Sequence, residues 1–352
     1  MTPALTLRGA KMSKYKLNPV WQARLNRFKQ NRLGVVALVL FCLISVICLG
    51  ANVVANDKPL VVTYEGDVYF PVFKAYPETT FGGIFETEAD YNDPAVKALI
   101  EQKGFMVMPL IEFADQTPSV DIEQPYPAPP NASNWLGTDD TGRDVLARIL
   151  YGMRVSLLFG LALTIASSLI GIIVGAIQGY YGGWPDLIGQ RFMEVWAGLP
   201  QLFMIIILVS LFNPNVWVLF ALMLLFGWMS LVGLVRAEFL RARNFDYVRA
   251  AHNLGASDLQ IMLRHILPNA LASSLSQLPF ILTANIVALT SLDFLGYGLP
   301  PGSPSLGELM NQGKDNLDAP WLALSAFFSL TIVLSLLIFI GEALRDAFDP
   351  RH

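Results

Sequence analysis

Charge is scarce in this sequence: Asp, Glu, Lys and Arg make up 15% of 352 residues, against 54% for the hydrophobic types. A soluble domain has about a quarter of its residues charged, so an ordinary soluble fold is excluded. Cysteine is scarcer still. Its two copies, Cys42 and Cys48, share one apolar run, which rules out a disulfide in any segment outside a membrane. The histidines are only His252, His265 and His352, with no HExxH or metal-ligand spacing, so neither a zinc hydrolase nor a metal site is expected, and no catalytic residue stands out. A P-loop is missing too. The nearest string, GELMNQGK at 307–314, has five residues between its glycines, one more than the phosphate-cradling pattern has, so this chain supplies no ATPase of its own. Nothing in the charge distribution points to nucleic acid.

What is present is a set of long apolar runs and a lopsided charge pattern. Residues 1–32 hold eight basic residues (Arg8, Lys11, Lys14, Lys16, Arg24, Arg27, Lys29 and Arg32) and no acidic one, and an apolar run at 33–55 follows directly. That pattern predicts a first transmembrane helix with a cytoplasmic N-terminus. A cleaved signal peptide fits less well, because the basic region is long and the run exceeds the roughly 7–15 residues of a signal core. Further runs of spanning length lie at 155–179, 192–212, 216–235, 270–292 and 321–343, which predicts six helices with both termini inside. The segment 57–151, placed outside, has sixteen acidic residues against six basic. The loop around 236–264, placed inside, has Arg236, Arg241, Arg243, Arg249 and Arg264 against Glu238, Asp246 and Asp258. The third run is the weakest, with Glu194 near its start and Pro200 inside it; a mid-membrane carboxylate costs roughly 2.5–3.5 kcal/mol, so Glu194 belongs at the cytoplasmic edge.

Two segments are not membrane. Residues 56–152 are polar, aromatic and proline-punctuated, long enough for a small extracytoplasmic insert, with short strands suggested at 60–64 and 67–70. The other is YVRAAHNLGASDLQIMLRHILPN at 247–269. Here Asp246 is expected to cap one helix, Gly255 to end it in a left-handed conformation, and Ser257 with Gln260 to form a capping box for a second helix that stops at Leu267 before Pro268. The result is a rigid helical knob, too short and too charged to span. Ala250 and Ala251 keep one face slim and Leu254 offers an apolar anchor, as in a helix-in-groove contact. A few residues would reverse the chain, so the length of this loop argues for docking.

These residues carry a resemblance. Arg249–Ala250–Ala251, Gly255 and Leu267–Pro268 are similar to the EAA loop of membrane subunits of bacterial ABC importers, with the spacing kept throughout. Arg249 stands where that pattern has Glu and His265 where it has Ile; both departures resemble the dipeptide/oligopeptide branch. WLGTDDTGRDVLARILYGMRVSL (135–157), RFMEVWAGLPQLFMIIIL (191–208) and SLDFLGYGLPPGSPSLGELM (291–310) resemble the same branch, and the insert sequence at 55–83 resembles the Yej-type permeases implicated in import of oligopeptides and the peptide-nucleotide antibiotic microcin C. The resemblance implies an all-α integral membrane protein of six transmembrane helices, with a type I ABC importer (MetI-like) transmembrane domain and a small extracytoplasmic insert between helices 1 and 2. It divides the chain into a basic segment 1–32, a first helix 33–55, the insert 56–152, a five-helix core 153–345 with a coupling loop at 237–268, and a tail 346–352.

It also implies an inner-membrane location and a set of partners. These are a second homologous permease chain, one or two cytoplasmic ABC ATPase subunits that bind the ATP and magnesium, an extracytoplasmic substrate-binding protein, a peptide substrate and the surrounding lipid. In that reading Arg249, Ala250, Ala251, Leu254, Gly255, Ser257, Leu267 and Pro268 form the ATPase-coupling site. A secondary transporter or channel is the rival class, but the second, fourth, fifth and sixth runs carry no ionisable residue away from their ends to relay protons or ions. The fifth run is the most polar. Ser273, Gln277 and Asn285 on it are candidates for the translocation pathway, Pro279 is a candidate kink, and helix–helix hydrogen bonding is the competing role for the polar side chains. Gly160, Gly171 and Gly175 are expected at close helix contacts.

Overall fold

The computed structural model describes residues 19–119, 125–212 and 215–348. Arg8, Lys11, Lys14 and Lys16 of the basic segment, and 349–352 of the tail, lie outside the described residues. Two helices open the described chain, α1 (Pro19–Gln30) and α2 (Arg32–Leu49), and Asn31 between them caps α2 by accepting from the Gly34 amide at 3.0 Å. A single turn, α3 (Ala51–Val54), leads on into the insert.

The insert departs from a purely helical class, because it is built on a small sheet. Strands β1 (Val61–Tyr64) and β2 (Asp67–Tyr69) form a hairpin whose two turn residues, Glu65 and Gly66, take φ of 53° and 95°, as the twist of a tight hairpin demands. Helix α4 (Pro94–Lys103), capped by Asp93, runs straight into β3 (Gly104–Val107), which pairs with the other edge of β1. The order is β2-β1-β3, antiparallel throughout. Val62 and Tyr64 from β1, Val96 and Ile100 from α4, and Phe81 and Tyr91 from the connecting loops close a core of their own. The all-α class therefore describes the membrane-spanning part, and the insert adds a third strand that the suggested pair at 60–64 and 67–70 did not include.

Helix α5 (Val145–Tyr181) has 37 residues, about 55 Å at the α-helical rise. It begins ahead of the apolar run at 155 because Asp144 caps it, accepting from the Ala147 amide at 2.7 Å, and because its first turns are packed by Ala55 and Ile111 of the insert on one side and by Leu306 and Leu309 on another. Next come α6 (Gly183–Ala197) and α7 (Gln201–Val209), bent by 74° across Gly198–Pro200, so Pro200 breaks the third run instead of lying within it. Helix α8 (Val216–Gly227) passes through a 3-10 turn into α9 (Val232–Ala242). Then follow the knob helices α10 (Asp246–Asn253) and α11 (Asp258–Gln260), then α12 (Leu267–Leu275) and α13 (Leu278–Phe294). The stretch from α11 through α12 meets α13 at 56°, with the break at Ser276–Gln277 just before Pro279, the expected kink position. A short helix, α14 (Leu306–Asp315), and the long α15 (Pro320–Phe348) complete the chain. Four helices among the described residues are long and apolar enough to cross a membrane unbroken, and six spans result if each bent pair is counted as one.

The central element is α5. A Cβ on Gly171, Gly175 or Gly179 would stand 2.6, 2.8 or 2.6 Å from the carbonyl oxygens of Trp228, Val232 and Arg236, so only glycine permits that approach of α9 and the turn before it. A Cβ on Gly160 would stand 2.9 Å from the side chain of Ile286 on α13. On another side Val145, Ile149 and Met153 pack with Leu306 and Leu309 of α14 and with Leu322 and Ala326 of α15. One end of α5 thus carries the insert, and the other carries the knob.

Candidate functional site

The knob is assembled from local signals. Leu254 closes α10, Gly255 follows at φ 83°, and the Gly255 and Ala256 amides donate to the carbonyls of His252 and Ala251 at 3.0 and 3.1 Å. This is a Schellman ending, which satisfies carbonyls that the helix leaves bare. Ser257 and Gln260 then form the expected reciprocal capping box. Two details differ from the sequence reading. Asp246 is the first residue of α10 rather than its cap, because Phe245 holds the extended cap conformation with no side-chain bond to the helix. Nor does the second helix stop before Pro268. A π-helical segment, Ile261–Ile266, joins α11 to α12, and its wider turn leaves Pro268 in the first turn of α12, where a missing N–H costs nothing.

The faces of the knob divide sharply. Val248, Ala251, Ile261, Met262 and Ile266 are buried against Val235, Phe239 and Ala242 of α9. Leu254, Leu259 and Leu263 point outward, 88%, 64% and 53% exposed, with Phe245 and Tyr247 exposed beside them. Ala250 and Arg249 are exposed as well, and Arg249 makes no ion pair among the described residues. Sequence reasoning singled out Leu254 alone. Leu259 and Leu263 also carried a signal, a four-residue apolar spacing on a charged helix. Tyr180 at the end of α5 fixes the knob from behind by donating to Asp258 at 2.7 Å, and α9, on which the knob packs, is itself held to its neighbours: Arg243 at its end donates to the Tyr180 carbonyl at 3.3 Å, and Arg236 grips Asp186 of α6 with both arms of its fork, one bond being 2.8 Å. An apolar row on a braced support can transmit a push, which a loose loop cannot do.

The three pathway candidates are not brought together. Ser273 on α12 donates to Glu238 of α9 at 3.3 Å, near the knob. Asn285 is buried and donates to Thr164 of α5 at 2.9 Å, a helix–helix bond of the competing kind. Gln277 lies in the break before α13, half-buried, its side chain making no hydrogen bond among the described residues.

At the insert end the structure reveals a network with no counterpart in the expected site. Arg148, 0% exposed in the first turns of α5, donates to Glu308 of α14 at 2.6 Å and to the carbonyls of Asp115 and Ser303 at 3.2 Å each, and stands 3.5 Å from Asp139. Asp139 also receives Arg143 at 2.7 Å. Burial pushes the Asp144 carboxyl above its ordinary pKa, opposed by donors from Ala147 and from Asn134. Asp115 and Glu308 lie far from Arg148 in sequence, so no local spacing could have announced the cluster.

Two family models match the chain. The family model of the binding-protein-dependent transport system inner membrane component matches residues 155–352, and that of the N-terminal TM domain of oligopeptide transport permease C matches residues 20–70. The inner membrane ABC transporter permease protein YejE of Escherichia coli (strain K12) is 58% identical over 335 residues, 95% of this chain and 98% of that protein. The peptidoglycan transport system permease protein YejE of Agrobacterium fabrum is 48% identical over 373 residues, 99% of this chain and 98% of that one. The oligopeptide transport system permease protein OppC of Lactococcus lactis subsp. lactis is 37% identical over 237 residues, 66% of this chain and 81% of that protein.

Proposed function

The chain belongs to the family of binding-protein-dependent transport system inner membrane components, non-catalytic permease subunits of ATP-driven peptide importers, and from that premise we propose how its two ends divide the labour. The knob end faces the cytoplasm and seats in a cleft of a separate ABC ATPase, which holds the ATP and magnesium. Arg249, Ala250, Ala251, Leu254, Gly255, Ser257, Leu267 and Pro268 form and orient that contact. The insert end faces outward and receives a substrate-binding protein. A second, homologous permease completes the pathway, with Gln277 and Ser273 at its edge. The cargo is oligopeptide, the peptide-nucleotide class included, in keeping with relatives named for oligopeptide and peptidoglycan transport. Each bent pair crosses once, so six spans leave both termini with the knob.

The observation that carries this reading is the outward row Leu254, Leu259 and Leu263 on a helix pair braced to α5 and α9. Central apolar anchors of an interface cost about 2 kcal/mol or more when lost, roughly thirtyfold in affinity. Leu254→Asp is therefore expected to leave the permease in the membrane while ATPase co-purification and peptide uptake collapse. Normal ATPase recovery with normal uptake would remove the docking role.

Topology has its own measurement. Glu86 on the insert and Arg264 on the knob are both exposed. Cysteines placed there singly, in a Cys42→Ser, Cys48→Ala background, should react oppositely with a membrane-impermeant maleimide applied to intact cells, Glu86→Cys alone being labelled. Labelling of both from outside would invert or abolish the orientation.

A further inference from the structure

A basic segment ahead of a first span follows from topology alone and marks only which side is cytoplasmic. Helix α1 is more than such a segment. Asn31 leaves the helical conformation at φ −79° and ψ 92°, so α1 is a separate helix of 12 residues and not the first turns of the span. Trp21, Leu25 and Phe28 fall on one stripe of it, at i, i+4 and i+7. At about 100° per residue, Arg24 lies along one side of that stripe and Lys29 along the other. No acidic residue occurs in α1 or α2.

The chain itself covers only part of the stripe. Phe28 is buried against Ala343 and Ala347 of α15, and Trp21 meets Phe348 edge to face, with 5.8 Å between ring centres. The Arg24 guanidinium lies over both rings, 5.3 Å from Trp21 and 4.8 Å from Phe348. These contacts fix α1 at the junction of the first and last spans, where α2 and α15 approach so closely that a Cβ on Gly34 would collide with that of Ala343. Trp21 is nevertheless left 39% exposed and Leu25 45%, and Leu33 and Val36 extend the bare apolar surface onto α2. Lys29 and Arg32 are exposed and make no ion pair among the described residues. An apolar stripe flanked by cations, on a helix that leads directly into a span, suits the boundary between headgroups and acyl chains.

We propose that α1 is an interfacial helix that binds anionic phospholipid of the cytoplasmic leaflet, with Trp21 and Leu25 among the upper acyl chains and lipid phosphates beside Lys29 and Arg32. Charge selects the lipid class. Arg24, Arg27, Lys29 and Arg32 have no acid on their own two helices, and the last turns of α15 add Glu342, Arg345 and Asp346, which leaves the junction positive. A zwitterionic headgroup brings an ammonium that these cations repel, whereas an anionic one brings phosphate uncompensated. Bound lipid ties the first and last spans to the leaflet where they meet. The choice of leaflet rests on the orientation proposed above; the lipid contact rests on α1 itself.

Two exposed positions on α1 report the contact: Gln22, seven residues from Lys29 and so on its side of the helix, and Ala23, across from the stripe. In complete importers otherwise free of cysteine, held in nanodiscs at low salt, a fluorophore on Gln22→Cys is titrated with nitroxide-labelled phosphatidylglycerol or nitroxide-labelled phosphatidylcholine. Quenching is expected to favour phosphatidylglycerol about tenfold, because each of two cations beside the label is worth several-fold in partition to anionic lipid. The preference should fall to about twofold in Lys29→Gln/Arg32→Gln, and should shrink at about 1 M salt, where the Debye length is about 3 Å. Both side chains are exposed, so the thermal midpoint of the complex should not move, and the loss reads the lipid and not the fold. A fluorophore on Ala23→Cys should be quenched weakly by both lipids. Equal quenching at Gln22 by the two lipids, or a preference that survives the double substitution, overturns the anionic-lipid site. So does weak quenching at Gln22 by either lipid, which would mean that another subunit covers the stripe. Nanodiscs present both leaflets, so these outcomes do not depend on orientation, which the labelling at Glu86 and Arg264 reads separately. Inverted labelling there, with the phosphatidylglycerol preference intact, would overturn the choice of leaflet alone.

Discussion

Replacing Gly255 with valine is expected to lower peptide uptake severalfold or more while the permease still inserts and assembles. Gly255 sits at φ 83°, and a Cβ built there meets nothing within 4 Å, so the penalty is backbone strain and not a clash. For an L-residue that strain is about 1–2 kcal/mol, and more for a β-branched one. An energy of 1–2 kcal/mol shifts the balance between formed and unformed turn by a factor of about 5–30. With the turn go the amide bonds from Gly255 and Ala256 that close α10, and Leu254 loses its fixed relation to Leu259 and Leu263. Asparagine tolerates the left-handed region far better, so Gly255→Asn should keep most of the uptake that Gly255→Val loses. The measurement is ATP hydrolysis stimulated by the binding protein, alongside uptake, in reconstituted complexes. Wild-type stimulation in the valine variant would separate the turn from coupling altogether.

The knob was the most legible part of the sequence because its determinants are local. A serine three residues before a glutamine, a glycine at the end of a helical pattern and a proline beyond it can be read without knowing what packs nearby, and the capping box and the left-handed glycine stand where those signals put them. The same locality explains the errors. A carboxylate before a helix is a good cap, yet Phe245 took the position and left Asp246 in the first turn, where its charge still suits the helix dipole. A proline reads as a stop, yet a π-helical segment absorbed Pro268. The apolar runs were legible as material for spans, since spanning is a matter of length and hydropathy. Where they bend was only partly so: Pro200 and Pro279 mark both breaks, but the 74° and 56° angles depend on what packs against each half. The long glycine-lined contact of α5 with α9 was visible as small residues at fixed spacing, whereas its partner was not. Least legible was the insert, where β3 pairs with β1 across the whole of α4 and the hairpin.

The second large effect is expected at Arg148, the position for which sequence gave no signal. Its guanidinium joins the start of α5 to Glu308 on α14, to the Ser303 carbonyl ahead of that helix and to the Asp115 carbonyl of the insert, while fully buried itself. Removing one partner of a buried ion pair costs about 3–5 kcal/mol, because the remaining groups keep their desolvation penalty and lose their compensation. Two features place Arg148→Met near the lower end. Asp139 keeps its bond from Arg143, and Glu308 is 30% exposed and so partly hydrated. A loss of roughly 3 kcal/mol is still a large part of a typical domain's stability and should lower the thermal midpoint of the complex by several degrees. Arg148→Lys should recover little, since one ammonium cannot reach acceptors on three separate segments as a planar fork does. Local loss should show in hydrogen exchange, with amides near Asp115 and Ser303 exchanging faster while those of the knob stay protected. A double-mutant cycle with Glu308→Gln should report coupling of about 1 kcal/mol or more, as residues in one network do. Unchanged thermal midpoint and unchanged exchange in Arg148→Met would mean that the insert is held to the spans by apolar packing alone, through contacts such as Ala55 and Ile111 against Ala147.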